Sequence, residues 1–258
     1  MEKSSLNILT ELQKETLNAF FSNTDLREHF YLTGGTALAG FYLGHRFSDD
    51  LDFFTHTLPL DVASPFFEDA MKLAGLTVVK ERSASTFRRY RVDGSLQIDL
   101  VYDIPFRVGT PQLKGTFMVD TPLNIAVNKV TAVYGRLEIK DYVDLFFLKP
   151  LLNYNILDLI KLAEGKDGGM DAFQWARIIV DVETFDHLPR MIVPLTLDEL
   201  KKFISKTTII DIKTILPTAF AGANDTIIAG NSTVLTATGG GTYSWKGLSV
   251  RSFKNNVS

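Results

Sequence analysis

Two glycines and three aspartates carry the chemistry that this sequence can do. Phe30-Tyr31-Leu32-Thr33 reads as a short strand, stops at Gly34-Gly35 and restarts as a helical segment from Thr36 to Leu43. A strand that turns into a helix through glycine leaves the first amides of the helix unpaired. It also lets a phosphate approach the backbone at the favourable end of the helix dipole. Alone, this is a weak signal, because many helix starts contain glycine. Fourteen residues separate Gly35 from Asp50-Leu51-Asp52, and positions i and i+2 of a strand share a face, so both carboxylates project together. Two like charges that close raise each other's pKa unless a cation sits between them. Hard divalent cations, above all Mg²⁺, suit such oxygen ligands and leave coordination positions for substrate phosphates. The plainer reading is an edge strand with solvated acids, which the apolar Leu51, Phe53 and Phe54 disfavour. In the doubled Asp49-Asp50 only Asp50 keeps the alternating register with Asp52, so Asp49 should face away.

A third acid is needed to position two metals, and Asp99 is the best candidate. It sits in the hydrophobic run Leu96-Gln97-Ile98-Asp99-Leu100-Val101, where an unpaired charge would be costly. The competing role is a buried salt bridge to Arg88, Arg89 or Arg91 across a hairpin. Further along, Lys129 and Arg136 are seven residues apart, hence on one helical face, with Asp141 and Asp144 three apart on the next helix. These four could form structural Lys–Asp and Arg–Asp pairs, or one wall of a site. Surface pairs of this kind stabilise by only ~0–1 kcal/mol, so stability alone does not require them. The four histidines, His29, His45, His56 and His187, form no ligand pair and read as ordinary surface or packing residues.

The elements that must hold these groups follow from periodicity and turn chemistry. Helices are expected over residues 6–21, with Ser4 or Ser5 as N-cap, and over 62–74, with Gly75 as its stop. Strands are expected over 76–80, 86–92 and 95–102, the last two joined by Asp93-Gly94, a strong hairpin signal. Thr121-Pro122 reads as an N-cap with Pro at the first helical position, opening a helix from 123 to about 136. Beyond it the pattern is helical over 141–148, 156–164, 170–182 and 197–204. Residues 217–258 change character: they are rich in Thr, Gly, Asn and Ser with β-type alternation, and too few to complete a sandwich. The expected organisation is an α/β core over 1–120, a helical region over 121–216 and an appended tail over 217–258.

Composition narrows the function classes. With 258 residues, 45% of them hydrophobic, the chain can bury a core without staples, and zero cysteines exclude a disulfide scaffold or a Cys-ligated zinc module. The 27 Lys+Arg against 30 Asp+Glu give a formal charge of −3, so the chain is no uniformly basic nucleic-acid coat. Lys80, Arg82, Arg88, Arg89 and Arg91 are the one local basic group suited to an RNA backbone. No apolar run is long enough to span a membrane and the N-terminus does not read as a signal peptide, so a cytoplasmic protein is expected.

At this point the residues reach a family. Gly-Gly followed by Asp-Leu-Asp, with a later acid in a hydrophobic strand, resembles the polymerase-β-type nucleotidyltransferase superfamily. More narrowly, GGTALAGFYLGHRFSDDLDFF resembles the first motif of the AbiEii/AbiGii nucleotidyltransferase toxins. Lys129-Val130-Thr131-Ala132-Val133-Tyr134-Gly135-Arg136 and Lys140-Asp141-Tyr142-Val143-Asp144-Leu145 resemble that family's Lys-x-x-Ala-x-x-x-Arg and (Arg/Lys)-Asp-x-x-Asp-Leu. The resemblance implies a polymerase-β-like α/β (α+β) mixed sheet with helices, followed by a helical region. It implies that Gly34, Gly35 and Thr36 cradle a nucleotide triphosphate and that Arg46 and Ser48 brace the loop. Asp50, Asp52 and Asp99 would hold Mg²⁺, Lys129 would contact the triphosphate, and Asp144 would be a further catalytic acid, with Asp141 as the competing choice.

The implied reaction moves a nucleoside monophosphate from an NTP to an acceptor, the acceptor end of tRNA, as the toxin of a toxin–antitoxin or phage-defence pair. The implied partner is an antitoxin with a winged helix-turn-helix. Two other readings stand beside it: a small-molecule nucleotidyltransferase of the antibiotic-modifying kind, and a catalytically silent nucleotide- or RNA-binding module.

Overall fold

The acids need a rigid platform, and the strand that carries them supplies it. The computed structural model describes residues 8–205. Asp50–Thr55 forms a strand (β2) whose odd positions Leu51 and Phe53 are buried while Asp50 and Asp52 are only partly exposed. Burying two such side chains stabilises the strand by roughly 1.5–3 kcal/mol each, and Phe53 stacks on Phe20 with ring centroids 3.8 Å apart. Alternation thus fixes which face the carboxylates take, since a one-residue slip would turn them into the core.

Around β2 the chain builds a seven-stranded mixed sheet. Its members are β1 (Tyr31–Thr33), β2, β3 (Val78–Ala84), β4 (Phe87–Val92), β5 (Leu96–Tyr102), β6 (Gln112–Lys114) and β7 (Phe117–Val119), in the order β3-β4-β5-β2-β1-β7-β6. β2 runs parallel to β5 and antiparallel to β1. The Asp93-Gly94 hairpin is present, with both residues at positive φ, as such a turn requires.

Helices α1 (Glu11–Ser22), α2 (Thr24–His29) and α4 (Leu60–Leu73) cover the apolar side, while α3 (Gly34–Leu38) leads from β1 into a single π-helical turn, Ala39–Leu43. Helices α5 (Pro122–Gly135), α6 (Ile139–Leu152), α7 (Ile156–Ala163), α8 (Ala172–Ile179) and α9 (Leu197–Phe203) follow the sheet in sequence. One apolar cluster runs from Leu9 to Ile204, so the sheet and these later helices share a core. No helix among the described residues is long and apolar enough to cross a membrane.

The mixed α/β class is as expected from sequence, with differences of local origin. Helix α1 starts at Glu11 rather than near residue 6, because Thr10 and Gln13 form a reciprocal capping box that sets its start; residues 4 and 5 lie outside the described residues. β3 lies later than expected and forms an exposed edge with a register shift between Lys80 and Arg82. β6 and β7 were not expected, since three-residue strands show no alternation to read. The expected tail, 217–258, lies outside the described residues.

Candidate functional site

The sheet register assembles the acids. Asp52 pairs in register with Asp99 on β5, and Asp50 with Gln97, so i and i+2 positions of two adjacent strands meet on one face. Thr33 at the end of β1 lies opposite Asp52 on its other side. These residues form one wall of a cleft of about 720 Å³, a volume within the range of small-molecule sites. The facing wall is α5, with Ile125, Asn128, Lys129 and Ala132, and Arg136 just beyond its end. That helix starts where expected: Thr121 caps it and Pro122 occupies its first turn.

The turn between β1 and α3 forms the floor. Gly34 has φ +73°, and a β-carbon there would stand 2.2 Å from Asp52 Oδ2. A β-carbon on Gly35 would stand 2.4 Å from Arg46 Nη2 and 2.9 Å from Ser48 Oγ. Both glycines are therefore required by close approach. Thr33, at the N-cap position of α3, gives its hydroxyl to the buried Asp120 at 2.7 Å, so no side chain caps the first turn. Its amides stay available where Gly34 and Gly35 line the cleft. Asp120 also accepts from Asn124 Nδ2 at 2.7 Å and Arg107 Nη2 at 2.8 Å.

Beneath the floor lies a buried charge network. Asp144 accepts from Arg46 Nε at 2.7 Å and Nη2 at 2.8 Å, and from His45 Nε2 at 2.8 Å; Lys129 Nζ stands 2.6 Å away. Lys129 Nζ also donates to Asp141 at 2.7 Å, and Arg136 Nε reaches Asp141 at 3.0 Å. Burial alone would push the Asp144 carboxyl up, but Lys129 and Arg46 hold it well below the usual carboxylate range. Burial likewise opposes the Lys129 ammonium, yet Asp144 and Asp141 raise its pKa above the ordinary value. For His45 burial wins: its pKa is lowered, so the neutral ring donates from Nε2 to Asp144.

The structure therefore brings Gly34, Gly35, Arg46, Ser48, Asp50, Asp52, Asp99 and Lys129 to the cleft. Thr36 is buried beneath it, its hydroxyl on the Asp50 carbonyl oxygen. Asp144 and Asp141 are fully buried and do not line the cleft; they hold Lys129, Arg46 and Arg136 from behind. His45 is no ordinary packing residue but a member of this network, which its isolated position in sequence did not reveal. Asp49 is exposed and pairs with Arg190, facing away as alternation requires.

Several cleft residues carried no sequence signal of their own: Gln97, Asp103, Glu138 and Lys166. Lys166 Nζ reaches Asp103 at 3.2 Å and links the α7–α8 loop to the end of β5. The basic group of the β3–β4 hairpin is largely neutralised. Lys80 pairs with Glu68, Arg88 with Asp61, Arg91 with Glu81 and Arg89 with Asp99.

The donor set suits a hard cation on chemical grounds. Burial first, then Asp50 and Asp99, push the Asp52 carboxyl up to about 7, against the opposing pull of Lys129 and Lys140. Asp99, however, is held by Arg89 through two bonds of 2.8 and 2.7 Å. Among the described residues no three acidic or histidine side chains stand together as a ready metal site. Asp50 and Asp52 carry oxygen donors of the type such an ion takes, and Asp99 beside them is engaged by Arg89.

Comparison with known proteins agrees with this architecture. The Helicobacter pylori protein JHP933 has a similar fold, with a TM-score of 0.54 at 20% identity, covering 83% of this chain and 94% of its own. The uncharacterized protein aq_aa25 of Aquifex aeolicus (strain VF5) is 32% identical over 170 residues, 63% of this chain and 78% of the relative. The family described as "Nucleotidyl transferase AbiEii toxin, Type IV TA system" matches residues 15–206, a span that takes in the glycine turn, Asp50, Asp52 and Asp99, and the Lys129 network. The chain belongs to the AbiEii family of nucleotidyltransferase toxins.

Proposed function

We propose that the cleft binds a nucleoside triphosphate and transfers its nucleoside monophosphate to an RNA hydroxyl, at the acceptor end of tRNA, with release of pyrophosphate. The observation that carries this reading is the meeting, in one cleft, of the Asp50, Asp52 and Asp99 wall with an uncapped glycine turn. Carboxylates alone would repel a triphosphate; beside free amides, Lys129 and Arg136 they become a site for a phosphate-bound cation.

In this reading Gly34 and Gly35 present backbone N–H groups to the phosphates, and Arg46, locked by Asp144, keeps the turn in place. Lys129 and the half-exposed Arg136 supply fixed positive charge on the facing wall. Asp50 and Asp52, joined by Asp99, would hold Mg²⁺, which when bound stabilises charge on the attacking and leaving oxygens. The acceptor oxygen bonds to the α-phosphorus, the bond to the β-phosphate bridge breaks, and the hydroxyl proton passes to the carboxylate cluster. Membership of a toxin–antitoxin family extends the proposal to a cognate antitoxin carrying a winged helix-turn-helix.

The test is incubation with each α-labelled NTP, Mg²⁺ and total tRNA, beside an Asp52→Ala control. Label entering tRNA with the wild type alone supports the reading. NTP consumed without labelled tRNA moves the acceptor to a protein or small molecule, and no consumption overturns nucleotidyl transfer under these conditions.

A further inference from the structure

The third acid of the cleft is already occupied by a cation of the protein's own. Across the sheet, Arg89, Asp99, Asp52 and Thr33 stand in register on β4, β5, β2 and β1, so Arg89 extends the row of acids by one position. Its Nε and Nη2 each take a different oxygen of Asp99, at 2.8 and 2.7 Å. A guanidinium fork of this kind uses both carboxylate oxygens at once and is among the stronger polar contacts a protein makes. The pair is drawn partly out of water, with side-chain exposures of 26% for Arg89 and 9% for Asp99. The Arg89 guanidinium carbon also lies 5.4 Å from the centre of the Phe87 ring. Its neighbours do not share this role: Arg88 points to the opposite face and pairs with Asp61, and Arg91 pairs with Glu81 at the exposed edge. Of these three arginines only Arg89 lines the cleft.

We propose that Arg89 is a resident counter-ion that competes with the divalent cation for Asp99 and thereby sets how tightly the cleft binds that cation. This rests on the reading of Asp50, Asp52 and Asp99 as cation ligands. Arg89 is a positioning residue in this scheme: while it holds the fork, only Asp50 and Asp52 are open to the ion, and full coordination requires its release.

The test is a titration with Mn²⁺ alone, followed by the electron paramagnetic resonance signal of the free ion, on the full chain. Arg89→Met keeps the apolar stem and removes the charge, and it is expected to bind Mn²⁺ roughly tenfold or more tightly than wild type. Arg89→Lys keeps the charge without the fork, and should fall between the two. In an Asp99→Asn background, Arg89→Met should add nothing, because the ligand it frees is gone. Circular dichroism and thermal unfolding check the fold of each variant, and Arg89→Lys carries the comparison should Arg89→Met fail to fold. Equal or weaker Mn²⁺ binding by the folded Arg89 variants, with wild type binding normally, would overturn the proposal. Absence of Mn²⁺ binding in wild type and variants alike would overturn the underlying reading of the acids, a different outcome.

Discussion

Gly34 and Asp52 approach so closely that position 34 admits no side chain: a β-carbon there would stand 2.2 Å from Asp52 Oδ2, on a backbone with φ +73°. The glycine turn and the acid wall are thus one mechanical unit.

Gly34→Ala should therefore cost more than a generic helix substitution. The left-handed backbone alone costs an L-residue roughly 1–2 kcal/mol, and the clash displaces Asp52. The expected outcome is a lower unfolding midpoint together with loss of divalent-cation binding, measured by denaturant titration and by Mn²⁺ titration. Retention of cation binding at wild-type strength would show that the contact does not position Asp52.

The Asp52 carboxyl, pushed up to about 7, predicts the pH dependence of stability. In the unfolded chain an aspartate ionises near pH ~3.9. Between that value and about 7 the folded protein keeps a proton that the unfolded chain has lost. The stability this group contributes is thus complete below the unfolded pKa and is lost as pH rises through the folded one. In the presence of a chelator the melting temperature should fall as pH rises toward neutrality, and Asp52→Asn should flatten that fall. Added divalent cation should raise the melting temperature more above the folded pKa than below it. A chelated wild type whose melting curve matches that of Asp52→Asn at every pH would contradict this.

Asp144 is expected to matter first for folding. It is the shared partner of Lys129, Arg46 and His45, all buried. Removing one member of such a network leaves uncompensated buried charge, at a cost of about 3–5 kcal/mol. Asp144→Ala should lower stability on that scale in denaturant unfolding. Asp141→Asn should cost less, because Lys129 keeps Asp144 as a partner and the other partner of Asp141, Arg136, is half exposed.

The doubled acid offers an internal control. Asp49 is 79% exposed beside Arg190, whereas Asp50 lines the cleft two residues from Asp52. Asp50→Asn should weaken Mn²⁺ binding roughly tenfold or more, the equivalent of ~1.4 kcal/mol. Asp49→Asn should leave both stability and binding close to wild type, as surface pairs contribute ~0–1 kcal/mol.

How far the sequence reached can be seen residue by residue. Strand alternation alone placed Asp50 and Asp52 on one face and Asp49 on the other, because a period of two leaves no alternative once Leu51 and Phe53 are buried. The Asp93-Gly94 turn also fixes the register that sets Arg89 opposite Asp99. The ion pair was therefore among the expected alternatives for Asp99, although its meaning for the cleft was not. What could not be read was long-range. His45 and Asp144 are 99 residues apart, and only packing of α6 behind the glycine turn brings them together. The same holds for Lys166 and Asp103, which meet through loops that carry no periodicity. Short strands such as β6 and β7 are specified by the sheet they join more than by their own residues.

The proposed reaction transfers the nucleotide and not a terminal phosphate. The most direct measurement compares one NTP labelled at the α-phosphate with the same NTP labelled at the γ-phosphate, incubated with wild type, Mg²⁺ and tRNA. An Asp52→Asn sample serves as control. The α-label is expected to enter RNA while the γ-label appears only in pyrophosphate, and Asp52→Asn is expected to abolish both. Label from the γ-position in RNA, or transfer undiminished in Asp52→Asn, would contradict it.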